Sequence, residues 1–187
     1  MGVILLAVGW KVLAGPYTYQ GSLIDPPVSA AEIENLDQYG NPFRLSEQRG
    51  KVVLLFFGYT NCLDVCPTTL AQFKQIKDRL GDQAEQTRFV FITVDPERDT
   101  QERVRLYLEN FDPSFVGLSG DRSDLEKIWQ DYFVYQAKQD TGSAAGYEVD
   151  HTSRVYAIDK DGNLRMTYPV DIEQEAILDD VRHLIQD

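Results

Sequence analysis

Two continuous apolar runs, Val52–Phe57 (VVLLFF) and Phe89–Val94 (FVFITV), interrupt a chain whose apolar residues otherwise recur at helical spacing. Runs of this length, rich in β-branched and aromatic residues, predict strands buried on both faces. Between them, Leu70, Phe73, Ile76 and Leu80 fall roughly on one helical face. Pro67 opens that segment, where a missing backbone N–H costs nothing. After the second run, Asp99 and Glu102 have the spacing of a helix N-terminal cap, and Val104, Tyr107, Leu108 and Phe111 continue a helical stripe. Phe115–Leu118 predicts a short third strand, and Ser123 with Glu126 a second capped helix running to about Tyr132. Residues 137–149 (AKQDTGSAAGYEV) show no period and predict a flexible loop. Arg154–Ile158 and Leu164–Tyr168 then flank Asp161-Gly162, a hairpin signal. Asp171 with Gln174 opens a last helix whose inner face is Ile177, Val181, Leu184 and Ile185.

The order β-α-β-α-β-α-β-β-α gives an α/β fold with a central mixed sheet flanked by helices. A strand–helix–strand unit closed by a terminal hairpin and helix is the thioredoxin-like arrangement, and the hairpin disfavours the rival open doubly wound sheet. That domain is expected over residues 32–187. Residues 16–31, with Pro16, Gly21, Pro26 and Pro27, are expected to be a tether without regular structure. Residues 1–15 (MGVILLAVGWKVLAG) are apolar apart from Lys11, shorter than the roughly 20 residues a spanning helix needs, and lack the basic start of a secretory signal. We read them as a partial membrane anchor or signal-anchor, with Trp10 and Lys11 near the lipid–water interface. The alternative is a buried N-terminal helix of the domain.

Composition narrows the partners. At 187 residues, 43% hydrophobic and 26% charged, the chain is long enough for one real core and is not compositionally disordered. A net charge of −12 argues against nucleic acid, which needs clustered Lys and Arg. It suits a cation or a basic protein face, and it also confers solubility. Two cysteines are too few for a disulfide-stapled scaffold, and there are only two histidines. Any metal or redox site therefore draws on a very short list.

Cys62 and Cys66 lie in Gly58-Tyr59-Thr60-Asn61-Cys62-Leu63-Asp64-Val65-Cys66-Pro67, where the first buried strand gives way to a helix. The positive end of a helix favours the thiolate, the species that attacks disulfides and ligates metals. Redox dithiols of the thioredoxin type usually have two intervening residues; here there are three. Positions four apart share a helical face, so this spacing suits a soft metal as well as a disulfide. The bland reading is two cysteines acting as small buried hydrophobes, which the neighbouring Asn61, Asp64 and Pro67 disfavour. A third donor must be His151 or His183. His183 lies in the last turn of the final helix, where a histidine more often meets the helix C-terminus at the surface. His151 ends the expected loop, 151 − 66 = 85 residues after Cys66, and a mobile loop can bring it over the cysteines. Thiolates with imidazole suit Cu(I), Cu(II) or zinc, whereas magnesium and calcium prefer oxygen. The residues alone leave copper and zinc both open.

Taken together, these motifs resemble the Sco/SenC family of copper proteins, which serve assembly of the CuA centre of cytochrome c oxidase. The resemblance runs from about Leu36 to Leu184. It includes Gly50-Lys51-Val52 through Thr60, Cys62-x-x-x-Cys66-Pro67-Thr68-Thr69-Leu70, Val94-Asp95-Pro96-Glu97-Arg98-Asp99-Thr100, Phe111-Asp112-Pro113 and Val149-Asp150-His151-Thr152. It implies that Cys62, Cys66 and His151 ligate a copper ion. It also implies that Asp95 lies near the site as a supporting residue; its plainer reading is a turn residue before Pro96. The partner it implies is the CuA-bearing oxidase subunit or another extracytoplasmic copper protein, met on the periplasmic side of the membrane that the N-terminal segment enters. The family commonly has a histidine where this chain has Asn61 and a proline where it has Leu63. Three functions are therefore weighed. The first is a copper metallochaperone. The second is a thiol–disulfide oxidoreductase that reduces a partner's copper-ligand cysteines. The third, disfavoured by the paired cysteine, is a thioredoxin-fold peroxidase. A carrier needs His151, whereas disulfide exchange does not.

Overall fold

A computed structural model describes residues 17–143 and 146–187. Its centre is a six-stranded sheet built on strand β4 (Val52–Gly58), every residue of which is buried. Each large side chain on such a strand contributes about 1.5–3 kcal/mol when removed from water, so this run fixes the core. β5 (Thr87–Thr93) lies parallel to β4, and β6 (Val116–Leu118) parallel to β5. On the other side β9 (Arg154–Ile158) runs antiparallel to β4, followed by β10 (Asn163–Pro169) and the edge strand β1 (Ser22–Ser29). The order β1-β10-β9-β4-β5-β6 is thus mixed, as the element order predicts.

Among the described residues four α-helices accompany the sheet: α1 (Val65–Leu80), α2 (Gln101–Glu109), α3 (Arg122–Asp131) and α4 (Gln174–Gln186). Helix α1 starts two residues before Pro67, which places Cys66 inside its first turn and leaves Cys62 in the preceding loop. All three expected caps move. Thr100, not Asp99, caps α2, accepting from the Arg103 N–H. Glu173 precedes α4 without a side-chain cap bond. At α3 the cap position is Asp121, again without such a bond.

Two expectations of irregular structure are corrected. Within 16–31, β1 pairs with β10 through Ser22, Leu23, Val28 and Ser29, around a bulge between Leu23 and Val28. Pro26 and Pro27 sit inside that bulge on an edge strand, the place a sheet tolerates residues without an N–H. Before it, Tyr17 and the N–H groups of Gln20 and Gly21 bond the buried carboxylate of Asp180 on α4. Of residues 137–149, expected as a loop, the described ones fall instead in a hairpin of β7 (Gln136–Ser143) and β8 (Gly146–His151). The QAKQDTGS sequence of β7 shows no alternation, and β8 alternates only over Tyr147, Val149 and His151, a stretch too short to stand out from the polar and glycine residues before it. A small hairpin of β2 (Glu34–Leu36) and β3 (Pro42–Arg44) completes the fold. The expected anchor at 1–15 lies outside the described residues. Among those that are described, no helix is long and apolar enough to cross a membrane.

Candidate metal centre

β4 delivers the chain to the site and ends on Gly58, the only residue type that fits there. A Cβ at this position would lie 2.8 Å from Cys66 Sγ and 2.9 Å from the rings of Phe56 and Phe91. The missing side chain is therefore the space the Cys66 sulfur fills. The loop that follows is pinned from below by Asp99. This fully buried carboxylate accepts from the Thr60 N–H (3.0 Å), the Thr60 hydroxyl (2.5 Å) and the Thr93 hydroxyl (2.7 Å). Burial pushes its pKa up, with the three hydrogen bonds pulling the other way. Its spacing to Glu102 resembles a capping box; in the fold it is the post on which the cysteine loop stands. Arg103 of α2 reaches across to the Thr60 hydroxyl (3.0 Å) and donates to Asn61 Oδ1. Asn61, where the resemblance expects histidine, is thus a bridgehead to α2. Leu63 is 88% exposed and borders the open cleft beside Cys62.

Cys62 and Cys66 are both free thiols, the first partly exposed and the second buried. They converge because the loop curls back, not because they share a helical face. The Cys66 N–H, an otherwise orphaned donor of the first helical turn, points at Cys62 Sγ at 3.4 Å. A hydrogen bond from the Cys66 thiol, helped by backbone N–H groups of Cys66 and Asp64, lowers the Cys62 pKa to about 5 despite burial. The same hydrogen bond and deeper burial push the Cys66 thiol up. One sulfur is therefore an accessible thiolate at neutral pH and the other a protected thiol. In the reduced chain, iodoacetamide should alkylate Cys62 and spare Cys66. The rate should rise as pH climbs through about 5 and level off by pH 7. A rate that keeps rising to pH 8.5 contradicts this assignment of the thiolate.

β8 brings His151 to the same place. Its Nε2 lies 3.9 Å from Cys66 Sγ, and its Nδ1 lies 3.1 Å from the Thr152 carbonyl oxygen. A carbonyl only accepts, so Nδ1 carries the proton and Nε2 presents its lone pair toward the sulfurs. The rings of Tyr59 and Phe56 meet the imidazole edge-on at 5.9 and 6.3 Å. Burial lowers the His151 pKa, which favours the neutral, ligating form. A soft ion about 2.3 Å from sulfur and about 2.0 Å from nitrogen spans the Cys66–His151 gap at a wide angle, and these donor types fit a soft metal, although among the described residues no three such side chains already stand close enough to hold one. An open cleft of about 440 Å³ adjoins Cys62, walled by Tyr59, Arg98, Tyr147 and Glu148.

The other candidates fall elsewhere. Asp95 is fully buried, and its carboxylate is taken up by other partners: it accepts from the Tyr147 hydroxyl at 2.6 Å and from Arg98. His183 sits on α4, stacked on Tyr17 with ring centroids 3.9 Å apart, in a cluster with Tyr19 and Asp187. Sequence reasoning passed over Arg98, Tyr147 and Arg103, whose roles depend on contacts between segments more than 40 residues apart.

Comparison with known proteins agrees with this architecture. The SCO1/SenC family model matches residues 26–186. A SCO2-like protein of Rickettsia prowazekii is 35% identical over 178 residues, covering 95% of this chain and 85% of the relative. The structure of Bradyrhizobium japonicum ScoI with copper bound superposes with a TM-score of 0.76 at 35% identity, covering 84% of this chain and 99% of that one. Apo Sco1 of Thermus thermophilus gives a TM-score of 0.80 at 34% identity, covering 91% and 99%.

Proposed function

This chain belongs to the SCO1/SenC family, and from that premise we propose that it is a copper metallochaperone for the CuA centre of cytochrome c oxidase. The ion is cargo, held by Cys62, Cys66 and His151. The observation that carries this reading is the approach of His151 Nε2 to within 3.9 Å of Cys66 Sγ, since a dithiol reductase has no use for an imidazole poised there. Two thiolates satisfy Cu(I), and the imidazole adds the donor that Cu(II) requires. Copper rather than zinc follows from the metal named in the relative's structure. The site of action we propose is extracytoplasmic, on the periplasmic side, with residues 1–15 holding the chain at the membrane.

A second reading has its own support. An accessible Cys62 thiolate backed by a protected Cys66 thiol is the arrangement of an attacking and a resolving cysteine. In that role the two thiols become a disulfide as a partner's disulfide becomes two thiols, so electrons and protons balance. One experiment separates the two. The full chain in detergent, loaded with copper, is mixed with a reduced, metal-free CuA domain; the metal-free, reduced chain is mixed with the oxidised domain. Growth of thiolate-to-copper absorption on the acceptor in the first mixture is the expected result. Thiol release in the second mixture, with no transfer in the first, would overturn the carrier in favour of the reductase.

A further inference from the structure

Among the described residues, β7 and the His151-bearing β8 form a two-stranded sheet of their own, separate from the six-stranded sheet. Something else must set how closely the imidazole approaches the sulfurs. Along β8 the side chains at 147, 149 and 151 share a face, and that face is the more buried one. Val149 is buried in the core, and Tyr147 lies at the end of the strand opposite His151.

Tyr147 is gripped at three points by the turn that follows β5. Its hydroxyl donates to Asp95 at 2.6 Å, its carbonyl oxygen accepts from Arg98 Nη1 at 2.8 Å, and the Arg98 guanidinium lies 3.7 Å over its ring. Arg98 also donates to Asp95, closing a triangle in which each residue holds the other two. The same turn touches β7, where Lys138 lies 3.2 Å from Glu97 and 4.7 Å from the Tyr147 ring. The turn is stiff, because the N–H groups of Arg98 and Asp99 both bond the Asp95 carbonyl oxygen, at 3.1 and 2.9 Å. Its last residue, Asp99, is the one that holds Thr60 of the cysteine loop. One turn of five residues therefore grips both halves of the site, the cysteine loop through Asp99 and the histidine hairpin through Asp95 and Arg98.

We propose that Asp95, Arg98 and Tyr147 are positioning residues that fix the separation of His151 from the dithiol, and so set the preference of the site for Cu(II) over Cu(I). This rests on the reading of Cys62, Cys66 and His151 as the ligands. The triangle holds the hairpin down; when it is loosened, the two thiolates stay in place and only the imidazole moves away. Supporting residues around metal ligands typically change affinity by about 10- to 100-fold when removed.

The test uses the full chain in detergent with Tyr147→Phe, which keeps the ring and deletes one hydrogen bond, and Arg98→Lys, which keeps the charge and loses the planar fork. Affinities for Cu(II) and Cu(I) are measured by chelator competition, and amide hydrogen exchange is followed in the metal-free chain. Both variants should weaken Cu(II) by at least about tenfold and Cu(I) by less than about threefold, with faster exchange confined to residues 136–151. Unchanged Cu(II) affinity, or equal losses for both oxidation states, overturns the proposal; the latter is what general destabilisation gives. His151→Ala is run alongside. If it too leaves Cu(II) affinity unchanged, the ligand set is what has failed; if it lowers Cu(II) affinity while the two variants do not, the clamp alone is wrong.

Discussion

Replacing Cys66 by alanine is expected to lower Cu(I) affinity by about a thousandfold or more, equivalent to about 4 kcal/mol. Cu(I) is satisfied by two soft donors, so this change removes half of what holds it. No other sulfur can substitute, because the chain has two cysteines and its two methionines include the fully buried Met166. The loss should come without collapse of the fold. The Cys66 sulfur occupies the hollow above Gly58, so alanine leaves a small void, and the loop keeps its ties through Asp99 and Arg103. The variant has a second signature. Without the Cys66 thiol donating to it, Cys62 loses the largest influence that lowers its pKa, so its alkylation should slow at pH 6 and need higher pH to reach its plateau. Competition against a chromogenic Cu(I) chelator gives the affinity, and circular dichroism reports the fold. A folded variant whose Cu(I) affinity falls by less than about tenfold excludes Cys66 as a ligand.

The dithiol was the legible part of the site, and the structure changes the reason. Helical spacing predicts convergence of positions 62 and 66, yet only Cys66 is helical; the loop after Gly58 brings Cys62 over the first N–H groups of α1. The buried runs that became β4 and β5 announced the sheet because each is apolar on both faces. The edge strand β1 faces solvent and lacks the alternation that a core imposes, and in the hairpin only the three inward residues of β8 carry it, too short a run to announce a strand. His151 was singled out by family resemblance and by the scarcity of donors. Its approach to Cys66 crosses 85 residues of chain and depends on a hairpin that reads as a loop. Asp99 illustrates the opposite error: a local pattern matched a cap, while the buried carboxylate serves the cysteine loop instead.

His151→Ala should separate the two oxidation states where Cys66→Ala does not. Cu(I) keeps both thiolates and should lose less than about tenfold in affinity, whereas Cu(II), which favours imidazole, should lose about a hundredfold or more, with weakened thiolate-to-copper colour. The pH dependence gives an independent check. A bound ion displaces the protons its ligands carry, so each ligand that is protonated at a given pH adds about one unit to the slope of log affinity against pH. The Cys66 thiol, with its pKa pushed up, contributes across the neutral range in both proteins. Burial disfavours the imidazolium and sets the His151 pKa below its ordinary value. Its contribution therefore appears only below the usual histidine range, in the same acidic region as the Cys62 contribution at about 5. The wild-type Cu(II) profile should steepen in that acidic window, and His151→Ala should lack the histidine step while retaining those of both cysteines. Matching acidic profiles in the two proteins, with equal Cu(II) affinities, would remove the imidazole from the site and leave a dithiol whose chemistry is exchange rather than carriage.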